Sequence, residues 1–146
     1  MRVHFLFCVW CRRYRAQLTF LRRALRAGIR KQQIVLDPGI GFGKSAPQNF
    51  EILQNLPRLT RLGYPLLIGV SRKSFIRHTL QDLLTGPPAA KNVSKTVKAL
   101  ELIPEELLYG TAAAVTAAIL NGAHIVRVHD VRQIVAVARV ADQILS

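Results

Sequence analysis

Cysteine is scarce in this 146-residue chain, which has only Cys8 and Cys11. Two thiols exclude a disulfide-stapled secreted scaffold. They form one CxxC close to His4, but no second Cys pair follows, and a zinc site needs about four ligands at tetrahedral spacing. A redox dithiol needs a thioredoxin-like strand-to-helix setting, so the pair reads as two small, semi-buried thiols. Long apolar runs are also missing. None approaches the ~18–20 residues of a spanning helix, which excludes a polytopic membrane protein. Residues 3–11 (VHFLFCVWC) follow a single Arg, but arginines rather than a small-residue cleavage pattern come next, so a secretory leader does not fit. The segment lacks the serines of an organellar transit peptide, and the cytoplasm is the expected compartment. Acidic charge is the third shortage, with 8 Asp or Glu against 21 Lys or Arg and a net charge of +13. Half the residues are apolar and 20% are charged, which excludes a disordered tail and allows one domain with a real core.

The charge is unevenly spread. Residues 1–36 hold nine basic residues and no acidic one. Such a segment can attract nucleic acid or anionic lipid by releasing counterions. The alternative is a solvated helix face: Leu18, Leu21, Leu25 and Ile29 recur at steps of three and four with arginines between, and Gly28 is placed to end the helix. No aromatic interleaving suggests base stacking, so the solvated face is preferred and nucleic acid is not an expected partner.

From residue 34 the pattern becomes regular. Ile34-Val35-Leu36 reads as a buried strand that ends at Asp37-Pro38-Gly39. A helical stretch from Pro47 carries Phe50, Leu53, Leu56 and Leu59. The second apolar run, Pro65–Val70, ends at Ser71-Arg72-Lys73, and a helix starts near Ser74. Residues 85–104 read as an insertion. Pro104-Glu105-Glu106 signals a helix start, and Thr111–Leu120 forms an Ala-rich helix stopped by Asn121-Gly122. His124–Asp130 is the third strand. A closing helix places Ile134, Ala138, Ala141 and Leu145 on one face, and residues 3–10 offer one further candidate strand. Strand and helix thus alternate three times, which predicts parallel strands with crossover helices. The step from Asp37 to Ser71 matches about one eighth of a ~250-residue barrel.

The polar groups fall at informative places. Asp37, then Ser71-Arg72-Lys73, then Arg127 and His129 follow the carboxyl ends of successive apolar runs. In parallel α/β folds those ends lie on one face, where ligands bind. One carboxylate, one lysine and an Arg/His pair suit a ligand with hydrogen-bond donors on a ring and an anionic group beyond it. Singly, each residue is explained as a cap or a solvated end; together they favour a site. Gly43-Lys44-Ser45 matches the end of a P-loop, but the first glycine of GxxxxGK[ST] would fall on Pro38, which has no N–H for a phosphate cradle. The glycines read instead as a loop that a flat ligand can approach closely.

Three motifs together resemble dihydropteroate synthase, a pterin-binding TIM-barrel family: LDPGIGFGK (Leu36–Lys44), GVSRKSF (Gly69–Phe75) and GTAAAV…GAHIVRVHDV (Gly110–Val131). The resemblance covers about residues 28–146 and leaves residues 1–27 as a separate basic segment. It implies an α/β fold, a partial (β/α)8 barrel made of the last three strand-helix units plus an N-terminal basic helix. The implied reaction joins 6-hydroxymethyl-dihydropterin diphosphate to p-aminobenzoate and releases diphosphate. By the resemblance, Asp37 hydrogen-bonds the pterin ring, Lys73 contacts the pterin beside the aminobenzoate site, and Arg127 with His129 holds the diphosphate. Asp37, Lys73 and Arg127 are the implied catalytic residues. Gly41, Phe42 and Ser74 shape the aminobenzoate pocket, where sulfonamides also bind, and Gly69 joins the substrate-binding set. The family also implies Mg²⁺, held by segments with no counterpart in this sequence, and a homodimer through its late helices. A whole barrel needs ~250 residues, so the expectation is a truncated chain that is not active alone. Two alternatives stand beside this reading: another pterin-binding methyltransferase fragment, which Ser71-Arg72-Lys73-Ser74 argues against, and a non-catalytic basic interaction module.

Overall fold

The computed structural model describes residues 9–85 and 102–146. The CxxC pair, the candidate strand at 3–10 and the insertion at 85–104 lie wholly or largely outside those residues. The described chain opens with α1 (Val9–Arg26), followed by Gly28 at φ 82° and a 3₁₀ turn at Lys31–Gln33. Next come α2 (Ala46–Gln54), α3 (Leu56–Thr60), β1 (Leu67–Ile68), α4 (Ser74–Thr85), α5 (Pro104–Leu120), β2 (Ile125–Val126) and α6 (Val131–Leu145). No helix among the described residues is long and apolar enough to cross a membrane.

The helix starts follow from their caps. Ser45 closes a capping box on α2: its hydroxyl accepts from the Gln48 N–H at 3.4 Å, and the Gln48 side chain accepts from the Ser45 N–H at 2.9 Å. At α5, Pro104 occupies the first turn with Glu105 and Glu106, and Glu106 Oε2 accepts from the Ile103 N–H at 3.0 Å. The helical run expected from Pro47 is broken in two, because Pro57 has no N–H to continue the ladder and Asn55 leaves helical geometry. The start at Pro104 and the Ala-rich stretch are one continuous helix.

The strands are shorter than the apolar runs. β1 and β2 pair in parallel, Leu67 with Ile125 and Ile68 with Val126. Leu36 joins only through a single parallel bridge to Leu66, donating to Pro65 O at 2.9 Å and accepting from the Leu67 N–H at 2.8 Å. The expected strand at Ile34–Leu36 is therefore one bridge long. The Ile34 N–H is taken by Lys31 O in the 3₁₀ turn, and Val35 is 47% exposed. The three segments still lie side by side in chain order, as in a parallel barrel wall.

The core lies between these strands and the helices. Ile52, Leu56, Leu66, Ile68, Val70 and Phe75 are essentially inaccessible, each contributing about 1.5–3 kcal/mol by burial. Phe50 and Phe75 meet edge to face at 5.1 Å between centroids. Leu21 of α1 joins the same core, whereas Leu25 and Ile29 stay about half exposed. On α6 the buried stripe is Ile134, Ala138 and Ala141. Leu145, expected on that face, is exposed in the last turn.

Candidate functional site

The parallel register carries the site. Each residue of the second segment faces the residue 58 positions later: Leu67 faces Ile125 and Ile68 faces Val126. The same offset continues past the ladder, with Gly69 against Arg127, Ser71 against His129 and Arg72 against Asp130. Side chains at the carboxyl ends of both strands are thereby paired one to one.

Arg127 lies along the backbone of Gly69. A Cβ built on Gly69 would sit 3.0 Å from Arg127 Nη2 and 3.5 Å from Cζ, so the glycine is the gap that the guanidinium occupies. His129 docks on Ser71, whose hydroxyl accepts from the His129 N–H at 3.2 Å and lies 3.0 Å from its Nδ1. The Arg72 guanidinium donates to both oxygens of Asp130, with Nε to Oδ2 at 3.0 Å. That hydrogen bond holds the Asp130 carboxyl below its usual range and raises Arg72. Arg72 is the one described non-glycine residue with positive φ, at 56°. Its N–H donates to the hydroxyl of fully buried Thr111 at 3.1 Å, which stabilises the turn.

The glycine loop folds beside this pair. Asp37 closes an Asx turn, its carboxylate accepting from the Gly39 N–H at 2.7 Å. Gly39, Gly41 and Gly43 all take positive φ, a backbone that L side chains resist. Asn49, 1% exposed, supports the loop from inside: it accepts from the Gly41 N–H at 2.7 Å and donates to Ser45 O at 2.8 Å. Lys44 bridges Gly39 O and Phe42 O.

Lys73 ties the two halves together. Its ammonium donates to Ile40 O, lies 4.5 Å from the centroid of the Phe42 ring, and its stem fills the space above Gly41. A Cβ on Gly41 would fall 2.4 Å from Lys73 Cδ, so the loop needs glycine there. Burial lowers the Lys73 pKa, the nearby Asp37 carboxylate opposes that shift, and Arg127 adds to it. Lys73 therefore lies within electrostatic reach of both the Asp37 and the Arg127 side chains.

Of the residues singled out in the sequence, Asp37, Gly41, Phe42, Gly69, Lys73, Arg127 and His129 come together at this edge. Ser74 stands beside them at the first position of α4, exposed, its hydroxyl making no hydrogen bond among the described residues. The supports Asn49, Thr111 and Asp130 were not singled out. The available signals were a polar residue on the apolar face of α2, a threonine at the start of the Ala-rich stretch, and an acid at the Arg72 offset. Among the described residues no three His, Cys, Asp or Glu side chains cluster as a metal site would require. A cavity of about 400 Å³ between α2, α4 and α5, lined by Phe50, Leu53, Ile76, Leu80 and Ala114, contains none of the site residues.

Comparison with known proteins agrees with this arrangement. A family profile described as pterin binding enzyme matches residues 12–129. The chain is 45% identical to the dihydropteroate synthase of Synechocystis sp., over 79% of this chain and 33% of the relative. It is 38% identical to that of Escherichia coli, over 86% of this chain and 38% of the relative. Among solved structures, the Xanthomonas albilineans dihydropteroate synthase in complex with 7,8-dihydropteroate aligns with a TM-score of 0.76 and 34% identity. That alignment covers all of this chain and half of the other. The chain thus spans a third or slightly more of the curated relatives' length, and its fold is part of an α/β barrel. With its family profile matched over most of its length and its candidate site residues at the ends of adjacent parallel strands, the chain belongs to the pterin-binding enzyme family.

Proposed function

We propose that this chain supplies the pterin-side and diphosphate-side residues of a dihydropteroate synthase acting in the cytoplasm. The observation that carries the reading is Lys73, set on the glycine loop within electrostatic reach of both the Asp37 carboxylate and the Arg127 guanidinium. In the proposed reaction the amine of p-aminobenzoate attacks the methylene carbon of the pterin diphosphate. The carbon–oxygen bond breaks, diphosphate leaves with the electron pair, and the new secondary amine loses a proton.

The residues fit distinct parts of that step. Asp37 accepts from ring N–H groups, and Lys73, a compact donor held over Gly41, meets an acceptor on the ring. Arg127 offers the flat face of its guanidinium and its charge, which suits negative charge developing on the departing oxygens. The amine needs little activation once it is placed, so positioning supplies much of the rate. Exposed Phe42, with Gly41 and Ser74, borders the aminobenzoate side. We further propose a homodimer through α6, where exposed Val131, Val135, Val140 and Ile144 flank the buried stripe.

The test is titration of the purified chain with pteroic acid, followed by intrinsic fluorescence and calorimetry. Binding is expected, and Asp37→Asn weakens it about ten- to hundredfold, the worth of a charge-assisted hydrogen bond of ~1.5–3 kcal/mol. No binding by a folded chain, or equal binding by the variant, overturns the assignment.

A further inference from the structure

We propose that Ser71 is a positioning residue that holds His129 as its Nε2–H tautomer, so that the imidazole presents a fixed donor to an anionic ligand group. The role of that donor rests on the reading of Arg127 and His129 as the diphosphate side; the tautomer itself does not.

The argument is one of hydrogen counting. A serine hydroxyl has one hydrogen and two lone pairs. Ser71 is 5% exposed, and its two hydrogen-bond partners among the described residues both belong to His129: the main-chain N–H at 3.2 Å and Nδ1 at 3.0 Å. The N–H can only donate, so it uses one lone pair of the oxygen. If Nδ1 also carried a proton, both bonds would end on the oxygen. The hydroxyl hydrogen would then be buried without an acceptor, an arrangement that folded proteins avoid. If Nδ1 is bare, the hydroxyl donates to it and every group is satisfied. A neutral ring with bare Nδ1 has its hydrogen on Nε2. His129 as a whole is exposed, which leaves Nε2, on the opposite edge of the ring, facing outward.

Both partners are pinned from behind. Next to Ser71, the Arg72 N–H is held by buried Thr111; next to His129, Asp130 is held by the Arg72 guanidinium. The contact thus belongs to a set of pairings at one offset that recurs from Leu66 and His124 to Arg72 and Asp130. His124 gives an internal standard: its Nδ1 accepts from the Leu66 N–H at 3.3 Å, so it too must hold its hydrogen on Nε2. His78 on α4, exposed and with no side-chain hydrogen bond among the described residues, gives a reference for the tautomer mixture.

The experiment is long-range ¹H–¹⁵N correlation on the full chain labelled at histidine, at about pH 8, above the usual imidazole range. His129→Gln assigns the signal. The expected spectrum shows His129 as the Nε2–H form alone, matching His124. Ser71→Ala should move it toward the tautomer mixture of His78, and Ser71→Thr should restore it, with His124 unchanged in both as the check that the fold is intact. Titration with inorganic diphosphate should shift the His129 signals, with affinity falling about three- to tenfold in Ser71→Ala. An Nδ1–H signal in the parent chain, or a His129 signal unchanged by Ser71→Ala, overturns the proposal. A locked Nε2–H form that ignores diphosphate confirms the positioning by Ser71 and refutes the diphosphate reading instead.

Discussion

Gly69→Ala separates the alignment of Arg127 from the stability of the fold. Gly69 is buried at the end of β1 and does not use positive φ, so alanine can adopt its backbone, and the loss of unfolded-chain freedom favours folding by about 0.4–1 kcal/mol. The new methyl would lie 3.0 Å from Arg127 Nη2 and 3.4 Å from Nε. Comfortable contact needs ~3.5–4.0 Å, so the guanidinium must retreat by about 0.5–1 Å. That group is the far end of a long side chain and can move without disturbing Ile68 or Val126. Misplacement of about 1 Å can cost up to ~100-fold where geometry is demanding. We therefore expect roughly tenfold weaker binding, ~1.4 kcal/mol, with a melting temperature equal to or slightly above that of the parent. Calorimetric titration with pteroic acid and with diphosphate, alongside a thermal melt, reads both quantities. Parent-like affinity would refute the view that Gly69 exists to seat Arg127. A large loss of thermal stability at unchanged affinity would refute it too, by making the glycine a packing requirement.

Thr111→Val removes the acceptor for the Arg72 N–H at a residue already in the left-handed region, and should destabilise the chain by about 1–3 kcal/mol in urea unfolding. Thr111→Ser keeps the hydroxyl and should recover most of that; valine performing as well as serine would remove Thr111 from the latch. Asp130 has a folded-state pKa below its unfolded value of about 3.9. The stability it contributes is therefore fully present above pH ~4 and lost as pH falls through the lowered value. Asp130→Asn should be less stable than the parent at neutral pH, and the gap should close in acid unfolding; a gap that persists at low pH would point away from the ion pair.

The site was legible because its chemistry sits where short β-branched runs stop. Asp37, Lys73, Arg127 and His129 each follow an apolar stretch, and parallel topology sends such ends to one side. What holds them was less visible. Thr111 acts on Arg72 across 39 residues, and nothing near Thr111 in the chain distinguishes it from half-buried Thr116, whose hydroxyl only donates to Ala112 O of its own helix. Asn49 looks like an ordinary polar helix residue until the glycine loop is seen folded over it. Strand lengths were overestimated because apolar character records burial, whereas a ladder also needs unspent backbone groups; the Ile34 N–H was already spent on its own turn. The break between α2 and α3 had a clear signal in Pro57, outweighed by the unbroken spacing of Leu53, Leu56 and Leu59.

The parallel alignment of Leu36, Leu66 and Ile125 also acts as a gauge of length. Neighbouring strands stand ~4.8 Å apart, so the first and third are separated by roughly 9.5 Å. Asp37 leaves from the first and Arg127 from the third. The Arg127 side chain shortens that span, because its guanidinium lies back against Gly69 of the middle segment, about one strand spacing of ~4.8 Å from the first. The missing side chain at Gly69 thereby brings the two ends of the site within reach of a ligand about half as long as the backbone spacing alone would require.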